Sequence, residues 1–406
     1  MPQLASLSSL SLTKHAAILG GTGSGKTVLL RRLIEEASLA GIPVLVIDVA
    51  GDLTYLGQSW PNPNLKLGDW LEGDLDRAKK YIANANTVVW TPGNSQGNPL
   101  YFSSVPDFRG LRDEPMRLQD AQDMALESVL SILKIKLDSS LRKRGIIAAA
   151  IGHMAESPEL AGAGLNGLRN VLRNMPQDVI DSLGDKTEKM ASEMANDLAA
   201  AEIVSPELKE LSVSDISLLF RGPKGEPRIS VVNLNWLNQL DKKLLFVQKI
   251  LMNVFSWVSR HSGPSLSGLI VEDEAKVVAP NTQEKAPASK KVIRKMAEQL
   301  RKYGYGLVLA SQALKSLDSA ILANCHTVVI GRMNAIADID ECKRHYNIAD
   351  AKSLGAGEFY IRATGESESS ESPFRRIKTA LCLSHHPSPS PSESDILRLA
   401  RASREY

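Results

Sequence analysis

Cysteine is scarce in this sequence, and the few cysteines present show no metal-binding pattern. Cys325, Cys342 and Cys382 are the three cysteines in 406 residues. They include no CxxC pair and have no nearby histidine spacing typical of a zinc site. We therefore predict three reduced cysteines that serve as packing residues.

Long apolar runs are missing as well. No run reaches the ~18 residues needed to span a bilayer, and the longest candidate is residues 145–154. Residues 1–12 lack the basic start and continuous apolar stretch of a signal peptide. These absences predict a cytoplasmic protein with no stable membrane insertion.

The chain has no strong excess of either charge. Its formal net charge of +2 is too small for the whole surface to attract nucleic acid, so DNA contact requires local basic clusters. No aromatic ladder accompanies the basic residues, so tracking of the DNA backbone is favoured over stacking on single-stranded bases. The hydrophobic content of 43% and the charged content of 23% are those of an ordinary globular protein.

Strand and helix patterns alternate in the first part of the chain. Residues 15–19 are typical of a buried strand, residues 27–39 of a helix, and residues 43–47 and 87–90 of further strands. This order predicts a mostly parallel sheet flanked by helices. Residues 118–219 have helical periodicity instead, which indicates an inserted helical subdomain. Strand patterns return at residues 229–234, 267–271, 306–310, 327–330, 358–362 and 378–383, and a long apolar helix pattern covers residues 240–258.

Between the first strand and the first helix lies a glycine-rich loop, GGTGSGKT, at residues 20–27. It matches GxxxxGK[ST] in the strand–loop–helix context that supports a phosphate-binding loop. The residues expected to contact nucleotide are Gly21, Thr22, Gly23, Ser24, Gly25, Lys26, Thr27 and Val28. Backbone N–H groups and the helix dipole favour phosphate here. Lys26 is expected to reach the β- and γ-phosphates, and the Thr27 hydroxyl to coordinate Mg²⁺.

A second motif, LIVEDEA at residues 269–275, is an apolar strand that ends in three acids. We predict that Asp273 holds Mg²⁺ and that Glu274 activates the attacking water as general base. Glu272 leaves a second register open, in which Glu272 and Asp273 share these roles. We prefer Asp273 and Glu274 because Ala275 then completes a DEA pattern.

Two further strand ends carry polar residues. Gln312 ends the strand pattern GLVLASQ at residues 306–312, where it is expected to sense the γ-phosphate or orient the water. Ser311 is a candidate helix cap. Asp48 ends the second strand and either approaches the catalytic water or fixes a loop.

In order and spacing, the segments HAAILGGTGSGKTVLLRRLIEE, GIPVLVIDVAGDL, IVEDEAK, LRKYGYGLVLASQ and LDSAILANCHTVVIGR resemble the HerA branch of the HerA/FtsK ATPases. The resemblance implies a RecA-like (ASCE) P-loop NTPase with ATP and Mg²⁺ as cofactors. It also implies a homo-hexameric ring that translocates on or unwinds DNA, together with a nuclease or other effector in DNA repair or phage defence.

The same resemblance suggests an arginine finger acting on the neighbouring subunit's nucleotide. Arg301, in the RKYG segment, is the first choice and Arg332 the reserve. The alternative role of Arg301 is a cation at a helix C-terminus. HerA proteins usually carry an N-terminal β-barrel before the ATPase core, whereas the phosphate loop here begins at Gly20, so we expect no barrel.

Two basic clusters are candidates for DNA contact, which would be sequence-independent and salt-sensitive. The first comprises Lys285, Lys290, Lys291, Arg294 and Lys295, just after the acids. The second comprises Lys134, Lys136, Arg142, Lys143 and Arg144, in the helical region. Each cluster has the alternative interpretation of a solvated helix face.

The patterns divide the chain into four parts. These are residues 1–104 (core with the phosphate loop), 105–225 (helical insertion), 226–383 (core with the acids) and 384–406 (Ser/Pro linker and tail). The tail contains a short helix pattern and is expected either to pack on a neighbouring subunit or to be disordered. Besides a DNA motor, a secretion- or conjugation-type transport ATPase and a nucleotide-gated scaffold that regulates a nuclease remain alternatives.

Overall fold

The computed structural model describes residues 9–62, 70–135, 141–205, 208, 214–263, 265–282, 287–363 and 374–404. Within these ranges nine strands form one sheet: β1 Ala16–Leu19, β2 Val44–Asp48, β3 Asn86–Trp90, β4 Arg228–Asn233, β5 Gly268–Asp273, β6 Tyr305–Ser311, β7 Thr327–Ile330, β8 Glu358–Arg362 and β9 Arg375–Lys378. The helices are α1 Ser9–Thr13, α2 Lys26–Leu39, α3 Asp74–Asn84, α4 Pro115–Ile132, α5 Leu141–Glu156, α6 Gly164–Arg173, α7 Gln177–Leu183, α8 Thr187–Val204, α9 Leu240–Arg260, α10 Ala275–Val278, α11 Ala288–Gln299, α12 Ser319–Ala323, α13 Ile336–Tyr346 and α14 Glu393–Ala402.

The sheet has the strand order β3-β4-β2-β5-β6-β1-β7-β8-β9. The first seven strands in this order are parallel to one another, and β8 and β9 continue the sheet with antiparallel pairing. The central strands are apolar along nearly their whole length because helices cover both faces. The prediction of a mostly parallel sheet flanked by helices is confirmed.

Each face of the sheet packs on its own set of helices. On one face α2 and α3 contribute Leu30, Ile34 and Tyr81 to a buried core. On the other face α9 and α11 contribute Ile250 and Met296 to a larger core. Because successive side chains of a strand alternate between faces, neighbouring residues at a strand end point toward different helix layers.

The helical region forms a compact unit of its own. Helices α4 to α8 share a separate buried core that includes Ile147, Leu168 and Leu198. Leu245 of α9 packs against this core, and Met124 of α4 belongs to the larger core on the α9 side of the sheet. The chain therefore leaves the sheet after β3, completes a helical layer, and returns at β4. The exact domain boundaries stay a prediction.

The C-terminal segments differ from the sequence-based expectations. The predicted strand at 378–383 is wrong: β9 ends at Lys378, and the following backbone is held by α2 instead. The N–H groups of Leu383 and Ser384 donate to the buried Glu35 carboxylate at 2.6 and 2.9 Å, so they do not pair with a neighbouring strand. Helix α14 packs on β3 of its own chain through Ile396 and Leu399, where it covers the edge of the sheet.

Candidate functional site

The phosphate-loop sequence forms a tight loop at the carboxyl end of β1. Its ends are tied to the neighbouring strands, since Gly20 N–H donates to Ser311 O at 3.0 Å and Gly21 N–H donates to Arg332 O at 2.8 Å. Gly25 has a φ of 88°, a conformation that favours glycine. A Cβ at Gly25 would lie 2.7 Å from the backbone nitrogen of Gly357, so only glycine fits the close approach of these two segments.

Helix α2 begins at Lys26, directly after the loop, and spans 14 residues. No side chain caps its N-terminus, so the N–H groups of the first turn are available to an anion. Of the predicted nucleotide-binding residues, Gly21, Thr22, Gly23, Ser24 and Gly25 lie in the loop, and Lys26, Thr27 and Val28 lie in the first turn of α2. This geometry suits the phosphates of a nucleotide.

The predicted catalytic acids come to the same place on a neighbouring strand. Asp273 ends β5, and Glu274 follows it with a φ of 57°, in the left-handed region that non-glycine residues rarely occupy. Such conformations cost on the order of 1–3 kcal/mol and cluster at active sites. The Glu274 carboxylate contacts Lys26, whose Nζ lies 3.3 Å from Oε1.

Glu274 has two further partners. Gln312 Nε2 donates to Glu274 Oε1 at 2.6 Å, and Lys276 Nζ lies 3.4 Å from Glu274 Oε2. Gln312 follows β6, which lies between β1 and β5. The position expected for Gln312, on a strand beside the phosphate loop, is therefore the position it occupies.

Burial and charge set the protonation of these acids in different ways. Burial raises the pKa of Glu274, but the Gln312 hydrogen bond and the cations Lys26 and Lys276 outweigh this effect, so the net pKa lies below its ordinary value. Burial raises the pKa of Asp273 to about 6, against the lowering influence of Lys26. Glu274 is thus an ionised carboxylate at neutral pH, as a general base requires.

Glu272 faces the opposite side of the sheet from Asp273, on the side covered by α9 and α11. It is fully buried, and among the described residues neither of its carboxylate oxygens has a hydrogen-bond partner. Burial raises its pKa well above the ordinary value. This placement separates Glu272 from the phosphate loop and supports the register in which Asp273 and Glu274 act.

Asp48 fixes a loop. Its two carboxylate oxygens accept hydrogen bonds from the N–H groups of Gly51 and Leu53 at 2.8 and 3.0 Å. It lies beside Asp273 in the register of β2 and β5. Burial, and secondarily the Asp273 charge, raise its pKa to about 7. These hydrogen bonds support the interpretation that Asp48 fixes a loop.

Oxygen ligands are the donors that Mg²⁺ prefers. Thr27, in the first turn of α2, offers a hydroxyl, and Asp273 offers a carboxylate on the α2 face of the sheet within the electrostatic reach of Lys26. The donor set therefore fits a magnesium ion that accompanies a nucleotide.

The two arginine-finger candidates lie at opposite ends of the strands, Arg301 at the amino ends and Arg332 at the carboxyl ends. Arg301 is exposed in the 3-10 turn Leu300–Tyr303, just before β6 begins, and so lies roughly 20 Å from the phosphate loop of its own chain, given ~3.3 Å per strand residue. Arg332 instead contacts its own phosphate loop, with Nη2 donating to Gly23 O at 2.9 Å.

The first basic cluster is neutralised within the chain. Lys285 lies outside the described residues, and the other members each pair with a carboxylate. The nitrogen–oxygen distances are 2.8 Å for Lys290–Asp318, 2.7 Å for Lys291–Glu127, 3.6 Å for Arg294–Glu298 and 2.6 Å for Lys295–Asp120. Lys290 is also buried. Two of the pairs join α11 to α4, so they attach the helical region to the core; DNA contact by this cluster stays a prediction.

In the second basic cluster, Lys136 lies outside the described residues. Lys134 and Arg142 are exposed, at the end of α4 and the start of α5, and Lys143 and Arg144 are half-buried. The DNA-contact hypothesis for this cluster also stays a prediction.

Sequence reasoning missed two residues at the site. Lys276 stands two positions after Glu274, and its proximity to the acid follows from the short helix α10. Gly357 donates its N–H to Ser24 O at 2.8 Å from a turn more than three hundred positions away in the chain, a contact with no local sequence pattern.

The described helices include none with the length and apolar character needed to cross a membrane.

Solved structures share this fold. The bacterial conjugative coupling protein TrwB aligns with a TM-score of 0.58 and 13% identity over 94% of this chain and 87% of that one. TrwB in complex with ADP and Mg²⁺ gives 0.57 and 14% over 94% and 88%. VirB4 of Thermoanaerobacter pseudethanolicus gives 0.54 and 14% over 90% and 89%. The chain thus has the RecA-like α/β fold of P-loop NTPases, as predicted.

A sequence relative points in the same direction. The DNA double-strand break repair helicase HerA of Sulfolobus acidocaldarius is 23% identical over 324 residues, which are 79% of this chain and 55% of that protein. The chain therefore spans about half the length of this curated relative. The family model "Helicase HerA, central domain" matches residues 6–254, more than half of the 406 residues, and the chain belongs to this family.

Proposed function

We propose that this protein is an ATP-hydrolysing ring motor that translocates on or unwinds DNA. The observation that carries the proposal is that Lys26 and Gln312 both contact the Glu274 carboxylate. A cation of the phosphate loop, an ionised acid and an amide from the intervening strand form one polar cluster. This combination suits hydrolysis of a nucleoside triphosphate better than passive binding.

In the proposed reaction the phosphate loop and Lys26 hold the triphosphate. Magnesium, held by Thr27 and Asp273, would neutralise phosphate charge. Glu274 takes a proton from water as the water oxygen bonds to the γ-phosphorus, and the bond from this phosphorus to the bridging oxygen breaks to release ADP and phosphate. Gln312 orients the water or senses the γ-phosphate.

Assembly completes the proposed site. Arg301 lies too far from its own phosphate loop to reach a nucleotide there, which supports a role as finger for a neighbouring subunit. Arg332, which already contacts its own loop, is better suited to a role within one chain. We infer a homo-hexameric ring, as the family resemblance implies.

The DNA substrate is inferred from the HerA family and from the relative in Sulfolobus acidocaldarius, a DNA double-strand break repair helicase. On the same basis we propose a role in DNA repair or phage defence with a nuclease or other effector, in the cytoplasm. Contact with DNA would use exposed cations along the backbone and weaken steeply with salt.

The test is the ATPase rate with and without double-stranded DNA, measured at several salt concentrations, together with the mass of the assembly in solution. We expect hydrolysis that DNA stimulates, and a mass matching six chains. A monomer whose hydrolysis ignores DNA contradicts the motor. ATP binding without turnover would favour the nucleotide-gated scaffold, and turnover stimulated by a protein substrate but not by DNA would favour a transport ATPase.

A further inference from the structure

We propose that Lys276 is a positioning residue that holds the Glu274 carboxylate in place for the attack of water on ATP. The inference rests on the proposed function and adds to it a residue that the sequence motifs do not mark. It is carried by the geometry around one carboxylate, whose two oxygens have different partners.

The Glu274 oxygens divide their contacts between two sides. Lys26 and Gln312 both contact Oε1, at 3.3 and 2.6 Å, whereas Lys276 contacts Oε2 at 3.4 Å. The Glu274 side chain is only 15% exposed and that of Lys276 is 38% exposed. Among the described residues, Lys276 is the cation paired with Oε2.

Nucleotide would change the two sides unequally. Lys26 is the phosphate-loop lysine, and a bound triphosphate draws it toward the β- and γ-phosphates. Oε1 is then left with a neutral partner, Gln312. Lys276 belongs to a different element, so its contact with Oε2 does not depend on the state of the phosphate loop.

The backbone that carries Lys276 is firmly held. Val277 N–H donates to Glu274 O at 2.8 Å, and Ser289 Oγ on α11 donates to Val278 O at 2.8 Å. The ion pair at 3.4 Å holds Oε2 on the Lys276 side, so Oε1, which already contacts Lys26 and Gln312, is the oxygen expected to accept the proton of the water. Loss of the cation would leave the carboxylate free to rotate away from that orientation.

The experiment compares Lys276→Met, which removes the charge, with Lys276→Arg, which keeps it. Steady-state ATP hydrolysis gives kcat and KM, and titration with a fluorescent ATP analogue gives Kd. We expect Lys276→Met to lower kcat about 10- to 100-fold, part of the ~10²–10⁴ that a positioned base contributes. KM and Kd should stay within about twofold, because the lost interaction acts on the chemical step.

Lys276→Arg should recover most of kcat. Lys80→Met, at an exposed lysine on α3, is the matched control and should leave kcat unchanged; thermal unfolding of all variants checks their folding. A Lys276→Met enzyme with wild-type kcat, or one whose loss appears in Kd, overturns the inference and leaves the ATPase proposal standing. A wild-type protein without turnover overturns both.

Discussion

At the scale of single residues, the structure distinguishes two glutamates that lie two positions apart. Glu274 is ionised and contacts the phosphate-loop lysine, whereas Glu272 is buried on the opposite face. Two isosteric substitutions separate their roles, because glutamine preserves the shape of glutamate but removes its negative charge and its capacity to take a proton.

Glu274→Gln should bind ATP with near wild-type affinity and lose about 10²–10⁴ in kcat, the usual contribution of a positioned base. Lys26→Ala should instead lose nucleotide binding. Glu272→Gln is the matched control and should hydrolyse ATP at close to the wild-type rate. Robust turnover by Glu274→Gln, or its loss in Glu272→Gln, would sink the assignment of the base.

Some residues of the site could be predicted from the sequence, whereas other contacts could not. The phosphate loop, Asp273, Glu274 and Gln312 were predictable because each belongs to a short motif at a strand end, and parallel strands bring their carboxyl ends to one edge. The partners of Lys291 and Lys295 were not, since Glu127 and Asp120 lie in the helical region. Such distant pairs form only when the two regions pack together.

At the scale of elements, an ion pair joins α2, the helix of the phosphate loop, to α3. Arg32 Nη1 and Nη2 donate to the two oxygens of Asp74 at 2.9 and 2.6 Å. Asp74 is almost fully buried, with 1% of its side chain exposed. Burial raises the pKa of Asp74, but the Arg32 hydrogen bonds outweigh it and hold the pKa below its ordinary value.

Asp74→Asn should therefore lower the free energy of unfolding by about 3 kcal/mol at neutral pH, the low end for breaking a buried pair. Because the folded-state pKa is depressed, the stabilisation is present above the unfolded pKa of ~3.9 and disappears as pH falls through the folded value. Urea unfolding from pH 7 down to about pH 3.5 should show the difference in free energy of unfolding between wild type and variant beginning to narrow below about pH 4.

Asp76→Asn, on the exposed side of the same helix, is the control and should change stability by less than about 0.5 kcal/mol. Equal effects of the two substitutions would contradict a structural role for the Arg32–Asp74 pair.

Some strands and helices were predicted correctly from the sequence, and one strand was not. The strands around the phosphate loop and helix α9 were predictable from apolar periodicity. The predicted strand at 378–383 failed because Glu35, a carboxylate on α2, takes the N–H groups of Leu383 and Ser384. Its partner is a side chain more than three hundred positions away, and strand propensity carries no information about such a competitor.

At the scale of the whole molecule, complementation between inactive variants tests the arginine finger. Glu274→Gln subunits keep Arg301, and Arg301→Ala subunits keep a complete phosphate loop and base. If Arg301 acts on the neighbour, mixed assemblies should recover about a quarter of wild-type hydrolysis, as random pairing of subunits in a head-to-tail ring implies. ATPase assays on co-assembled 1:1 mixtures give the measurement.

Arg332→Ala mixed with Glu274→Gln is the control. Arg332 contacts the loop of its own chain, so this mixture should stay at the level of the separate variants. Recovery in the Arg332 mixture but not in the Arg301 mixture would reverse the two assignments.

The separation of Arg301 from the phosphate loop restricts how copies of this chain can meet. Arg301 lies near the amino ends of the strands and the loop lies at their carboxyl ends, so a productive contact joins unlike faces. In the proposed homo-hexameric ring, each subunit would offer Arg301 to one neighbour and its phosphate loop to the other, because the subunits of a cyclic ring meet head to tail. Successive subunits would then point the same way around the ring, which would give the whole particle a direction before any substrate enters it.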